Sequence, residues 1–146
     1  SAVVNGGPHF WAAPFEMDDE FGRQGVASDY SPNQMPPRKG MAQNTTIAIV
    51  ATDASLNQAQ ATRMAVSAHD GMARALWPSH TPMDGDLVFA AANGQGVEAD
   101  LDLQLELGHA ASLCLARAIA CGVFEASVQQ GDHLPTWRTK FGGINA

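Results

Sequence analysis

"GMAQNTTIAIVATDA" (residues 40–54) passes in one step from small and polar residues to an apolar, β-branched run. The run at 45–52 carries almost no polarity, which predicts a strand buried inside a layered α/β fold. Thr45 and Thr46 stand at the junction, directly after Asn44. Thr suits a strand start by propensity alone. A chemical reading is also open. If Thr45 Oγ attacks the Asn44 carbonyl, the peptide bond becomes an ester that water opens, and Thr45 becomes a new amino terminus. An α-amino group titrates near ~7.7–8.0, so a useful fraction is neutral at physiological pH. It can then serve as base for the hydroxyl of its own residue. Thr46 carries the same hydroxyl, but strand alternation sends it to the opposite face.

Outward from this junction, Asn57 followed three residues later by Gln60 gives a capping-box signal. Ala61, Met64, Ala65, Ala68, Met72 and Ala75 recur at helical spacing and predict a helix to about Leu76. "WPSHTPMDG" breaks it with two prolines, and "DLVFAAA" (86–92) predicts a second strand. "LDLQLEL" alternates like a strand, but the composition that follows favours a helix from about Leu103, with Gly122 weakening its last turns. Upstream, residues 1–5 predict a short strand running into "GGP". "SPNQMPPRKGMAQN" (31–44) reads as an exposed linker, of a length usually functional or processed. The tail from Gly131 reads as irregular. Two strands and a stub make a thin sheet for this much helix, and the chain opens without an initiator Met, as though inside a fold.

The bulk numbers narrow the function classes. A length of 146 residues suits one domain. A net charge of −7, with the eight Lys and Arg scattered, argues against nucleic acid and anionic membrane surfaces. No run approaches the ~20 apolar residues that span a bilayer. Cys114 and Cys121 are separated by about 10.5 Å of helix rise, beyond the roughly 7 Å that a disulfide tolerates. Free thiols and a reducing, cytoplasmic setting are expected.

Two further features bear on chemistry. Asp84 and Asp86 flank a Gly at the mouth of the second strand, and their spacing puts both carboxylates on one side. Close carboxylates split their pKa values and can hold an ammonium or orient a hydroxyl. A plain Asp-Gly turn is the other reading. Asn5, before two glycines, carries an amide able to donate to a developing oxyanion, and equally suits a turn. His9, His69, His80, His109 and His133 show no close ligand spacing, so neither metal nor cofactor is expected. His69 and Asp70 read as helix packing or capping. Trp11, Trp77 and Trp137 read as packing or interface residues, and "NGQG" lacks the Lys of a phosphate loop.

"NTTIAIVATDA", "AHDGMARA" and "HTPMDGD", in this order and spacing, resemble the aminopeptidase/amidase group of N-terminal-nucleophile hydrolases. That group includes L-aminopeptidase/D-amidase/esterases and β-peptidyl aminopeptidases. An Asn before a Thr nucleophile is most similar to the 6-aminohexanoate-oligomer (nylon) hydrolases, where many other members use Ser. The match covers most of residues 45–125, with a weaker one in "AVVN" and "WAAPFE". The resemblance implies a precursor that cleaves itself into subunits that stay together and oligomerise. Residues 1–44 would end the α subunit at Asn44, and 45–146 would form the β subunit beginning at the nucleophile Thr45. Asp84 and Asp86 match the acidic pair that positions the nucleophile, and Asn5 matches an Asn near the reacting carbonyl. Relatives carry more chain ahead of Asn5, including a catalytic Lys, so a preceding α-subunit segment is an expected partner. The implied αββα sandwich is incomplete in this chain. The expected substrate is a linear oligoamide such as a 6-aminohexanoate oligomer. The alternatives are short β- or D-peptides, acyl transfer to an amine, or a non-catalytic assembly subunit.

Overall fold

The computed structural model describes residues 1–31, 33 and 45–142. Strand β1 (Ile47–Thr52) leads through helix α1 (Gln58–Ala75) to strand β2 (Leu87–Ala92), and helix α2 (Leu101–Phe124) and a short helix α3 (Trp137–Phe141) follow. The strands pair in parallel, in register from Ile47 opposite Leu87 to Thr52 opposite Ala92. Parallel neighbours need a crossover, and α1 supplies it. The result is a βαβ unit with a mixed α/β character.

Local chemistry sets the element ends. Asn57 Oδ1 accepts from Gln60 N at 3.0 Å while Asn57 N donates to Gln60 Oε1 at 2.8 Å, which completes the capping box at α1. Asp100 caps α2 by accepting from Leu103 N at 2.9 Å, so this helix starts at Leu101, two residues ahead of expectation. The strand-like alternation of "LDLQLEL" is overridden, and α2 runs through Gly122 to Phe124. By length and composition it is long and apolar enough to cross a membrane, where the sequence pattern predicts no such run. Here its inner face packs on α1. At the crossing, a Cβ on Gly71 would lie 2.0 Å from the Ser112 carbonyl oxygen, so only glycine lets the two backbones meet.

Val50, Met64, Ala68, Met72, Ala111 and Leu115 form one core, between the helices and one face of the sheet. The other face stays open: Ile47, Ile49 and Phe89 are 68%, 67% and 59% exposed. This corrects the expectation of a fully buried first strand. The helices cover only the side that carries Ala48, Val50, Val88 and Ala90.

A second core joins the N-terminal segment to the far end of α2 and to α3. It contains Ala2, Phe10, Ala12, Phe21, Ala75, Ala116, Ala120 and Trp137. The Trp137 ring stacks on Phe10 at 5.7 Å, and Trp137 Nε1 donates to the Pro8 carbonyl at 3.0 Å. Arg117 holds Glu20 with two bonds of 2.5 and 2.8 Å. Two corrections follow. Residues 1–5 form one side of a tight hairpin, with a single bridge from Val3 to Phe10, because Asn5 and Gly6 both take positive φ and turn the chain at once. The tail is not wholly irregular. Thr136 caps α3, accepting from Thr139 N, and Trp137 anchors it in the core. Cys114 and Cys121 are free, as expected, and burial pushes the Cys121 thiol upward.

Candidate active site

The start of β1 is fastened at Thr46. Its N–H donates to Asp86 Oδ1 at 2.9 Å, and its carbonyl accepts from Leu87 N at 3.0 Å. Thr45, one residue earlier, is exposed and lies against Gly85. A Cβ built on Gly85 would sit 2.9 Å from Thr45 Oγ1. The glycine between the two aspartates therefore makes room for the hydroxyl.

Both carboxylates turn toward the same short piece of backbone. Asp84 Oδ2 accepts from Thr81 N at 2.8 Å, and Asp86 Oδ2 accepts from His80 N at 3.2 Å. The Thr81 amide, and then its hydroxyl, hold the Asp84 carboxyl below the usual carboxylate range. Asp86 is nearly buried, its side chain 6% exposed, yet both of its oxygens are engaged. The two aspartates thus differ in reach: Asp86 bridges to β1, whereas Asp84 closes its own turn. A negative charge beside Thr45 suits the holding of a terminal ammonium and the orientation of a hydroxyl.

Asn5 sits elsewhere in character. With φ 50° and ψ 25°, followed by Gly6 at φ 71°, it forms the first central residue of a turn closed by Gly7 N donating to the Val4 carbonyl at 2.8 Å. Positive φ at both central positions is the type I′ pattern that Asn-Gly favours. Its side chain is exposed, and among the described residues no hydrogen bond joins it to Thr45, Asp84 or Asp86. Its hairpin does border the site segment, since Trp77 N donates to the Ser1 carbonyl at 3.0 Å. Asn44, the residue ahead of the candidate nucleophile, lies outside the described residues, as does nearly all of the 31–44 linker.

Sequence reasoning did not single out His80, Thr81 or Gly85. The Thr-x-x-Asp spacing of Thr81 and Asp84 is a capping-box signature and was available as a signal. Nothing in the spacing pointed to His80, which takes a positive φ of 54°. His69, read from the sequence as helix packing or capping, lies with its ring centroid 4.9 Å from that of His80. Among the described residues no group of three or more His, Cys, Asp and Glu could hold a metal ion.

Comparison with known proteins agrees on one family. Residues 10–135 match the family model of Peptidase family S58. An uncharacterized aminopeptidase of Mycobacterium tuberculosis (strain H37Rv) is 46% identical over 111 residues, covering 68% of this chain and 32% of the relative. An uncharacterized aminopeptidase of Mycobacterium leprae is 44% identical over 114 residues, covering 70% and 31%. A 6-aminohexanoate-oligomer endohydrolase of Kocuria sp. is 30% identical over 95 residues, covering 65% and 25%. The chain spans about a third or less of the length of these curated relatives.

Proposed function

The chain belongs to peptidase family S58, and from that premise we propose that it carries the nucleophile of an amide hydrolase, with Thr45 as an N-terminal nucleophile. The observation that carries the reading is the exposed Thr45 hydroxyl seated over Gly85, one residue before an amide held by Asp86. Maturation begins when Thr45 Oγ attacks the Asn44 carbonyl carbon. The C–N bond breaks to give an ester and a free Thr45 amine, and water then cleaves the ester. In turnover, the amine takes the Oγ proton as Oγ attacks the substrate carbonyl. The proton passes to the leaving amine, and water releases the acyl group from Thr45. Asp86 and Asp84 position the new terminus. Asn5 is the proposed donor to the oxyanion.

The second core supports the view that the two pieces stay together after the cut. Glu20, Phe10 and Phe21 lie before the junction, while Arg117, Trp137 and Ala120 lie after it, and the contacts between them are non-covalent. The open apolar face of the sheet supports a further layer, supplied by the rest of the longer protein, which would complete an αββα sandwich. Assembly of such units into a homo-oligomer belongs to the same proposal, as does a reducing, cytoplasmic setting.

The substrate reading draws on the relatives' names. The 6-aminohexanoate oligomers rest on a relative at 30% identity, whereas the relatives at 44% and 46% bear the word aminopeptidase. This favours short peptides with a free amino end as the first substrates to try, and linear 6-aminohexanoate oligomers as the second. The decisive variant is Thr45→Ala in the full-length protein, assayed by intact mass and by amine release from both substrate classes. It should remain uncut and inactive, while Thr45→Ser keeps part of both activities. Retained turnover in Thr45→Ala would leave only a non-catalytic role for Thr45.

A further inference from the structure

His80 is fastened to Asp86 at two points. Its backbone N–H donates to Asp86 Oδ2 at 3.2 Å, and its ring Nδ1 stands 3.3 Å from the same oxygen, within ion-pair range. A carboxylate oxygen only accepts, so the favourable state of the ring contact carries a proton on Nδ1. The backbone at His80 takes φ 54°, in the left-handed region that His, like Asn and Asp, enters more readily than most other side chains. On its other side the ring meets His69 of α1, at 4.9 Å between centroids and a tilt of 58°. Asp84 also faces His80 electrostatically, so the groups around the imidazole are Asp84, Asp86 and His69.

The chain of contacts runs on to the nucleophile. Asp86 gives Oδ2 to His80 and Oδ1 to the Thr46 amide, and Thr46 fixes the residue whose hydroxyl lies over Gly85. The terminal torsion of Asp is broad, and without the imidazole the Oδ2 end would rest on the single 3.2 Å bond from the residue 80 amide, so the ring supplies the second hold on that oxygen. Held at both oxygens, the carboxylate keeps the Thr46 N–H in one place, and Thr45 with it. Small displacements of a reacting group lower rates steeply, so this fixation bears on turnover.

We propose that His80 is a positioning residue for the Thr45 nucleophile, acting through Asp86 and braced by His69. The inference rests on the reading of Thr45 given above. It assigns His80 no contact with substrate. Loss of the imidazole should therefore slow the chemistry and leave substrate binding alone.

The test uses the full-length protein and three variants: His80→Ala, His80→Asn and Thr45→Ala. Asn tolerates positive φ, and its side-chain amide can reach Asp86 as Nδ1 does. Self-cleavage is followed by intact mass, and kcat and KM by amine release from whichever of a β-alanyl dipeptide and a 6-aminohexanoate oligomer the wild type cleaves. His80→Ala should lower kcat about 10-fold or more and slow self-cleavage, with KM within about twofold, and His80→Asn should recover to within about threefold of wild type. Wild-type kcat in His80→Ala overturns the inference, and so does a His80→Asn variant as slow as the Ala variant. If His80→Ala does not accumulate folded, the Asn variant decides by the same threshold. Thr45→Ala separates the two claims. Its inactivity beside a fully active His80→Ala removes only the positioning role, whereas activity in Thr45→Ala removes the nucleophile and the inference together.

Discussion

Two turns carry the proposed site residues, and they are fastened in opposite ways. The turn at 80–86 is tied outward, with Asp86 crossing to the Thr46 amide and Gly85 pressed against the Thr45 hydroxyl. The turn at 4–7 closes on itself, by the bond from Gly7 N to the Val4 carbonyl and by two successive positive φ values, and its long-range bond, from Lys140 Nζ to the Gly6 carbonyl at 2.9 Å, leads to α3 and not to β1. Asp86 and Gly85 in the first turn cannot change without disturbing the start of β1. A residue in the second can change so long as the turn still closes. Both stretches looked alike as sequence, each a small polar cluster around glycine. Their difference lies in where the long-range bonds lead, and those decide which turn is coupled to Thr45.

The largest effect that would break this contrast is expected in the first turn. Gly85→Ala should abolish or nearly abolish amide hydrolysis, because its Cβ would occupy space 2.9 Å from Thr45 Oγ1. Asp86→Asn should lower kcat by at least ~10²-fold, and Asp84→Asn by less, since Asp84 acts within its own turn. Equal, small effects in steady-state kinetics of all three would mean that the turn is structural only. In the second turn, Asn5→Gly keeps the type I′ geometry and removes only the amide. A fall in kcat of about 10²-fold with unchanged thermal unfolding is expected if Asn5 donates to the oxyanion. Unchanged kcat would assign Asn5 to the turn alone.

The smallest effect sharpens the contrast between the pieces that flank the junction. The Arg117 guanidinium holds the Glu20 carboxyl below its usual range. A depressed folded pKa gives stability that is present above the unfolded value of about 4.3 and is lost as pH falls through the folded value. Asp84, depressed by Thr81, works in the same direction. Glu20→Gln should therefore cost on the order of 1 kcal/mol at pH 7, and the gap to wild type should close toward pH 3. Urea unfolding at the two pH values measures it, and a gap that persists at pH 3 would count against the ion pair.

How much of this was legible follows the same division between local and long-range bonds. β1, α1 with its Asn57 cap and β2 follow from rules that act over a few residues, and the sequence pattern places them within two residues of their observed ends. The one-sided burial of β1 was not legible. Ile47 and Ile49 are as apolar as Ala48 and Val50, so the pattern marks no solvent face. The helix at Trp137–Phe141 was missed because five residues do not form a helix alone, and this one is held by Phe10, Phe124 and its Thr136 cap. Of the proposed site residues, Thr45, Asp84 and Asp86 are named by motif and spacing. Their division of labour is not, because it depends on which amide each carboxylate reaches.

The central claim is that Thr45 becomes an amino terminus, and the most direct measurement is intact mass with N-terminal sequencing of the active, full-length protein. The account predicts two fragments that co-purify, one of them beginning Thr-Thr-Ile-Ala-Ile. An uncut chain with full amide-hydrolase activity would contradict it.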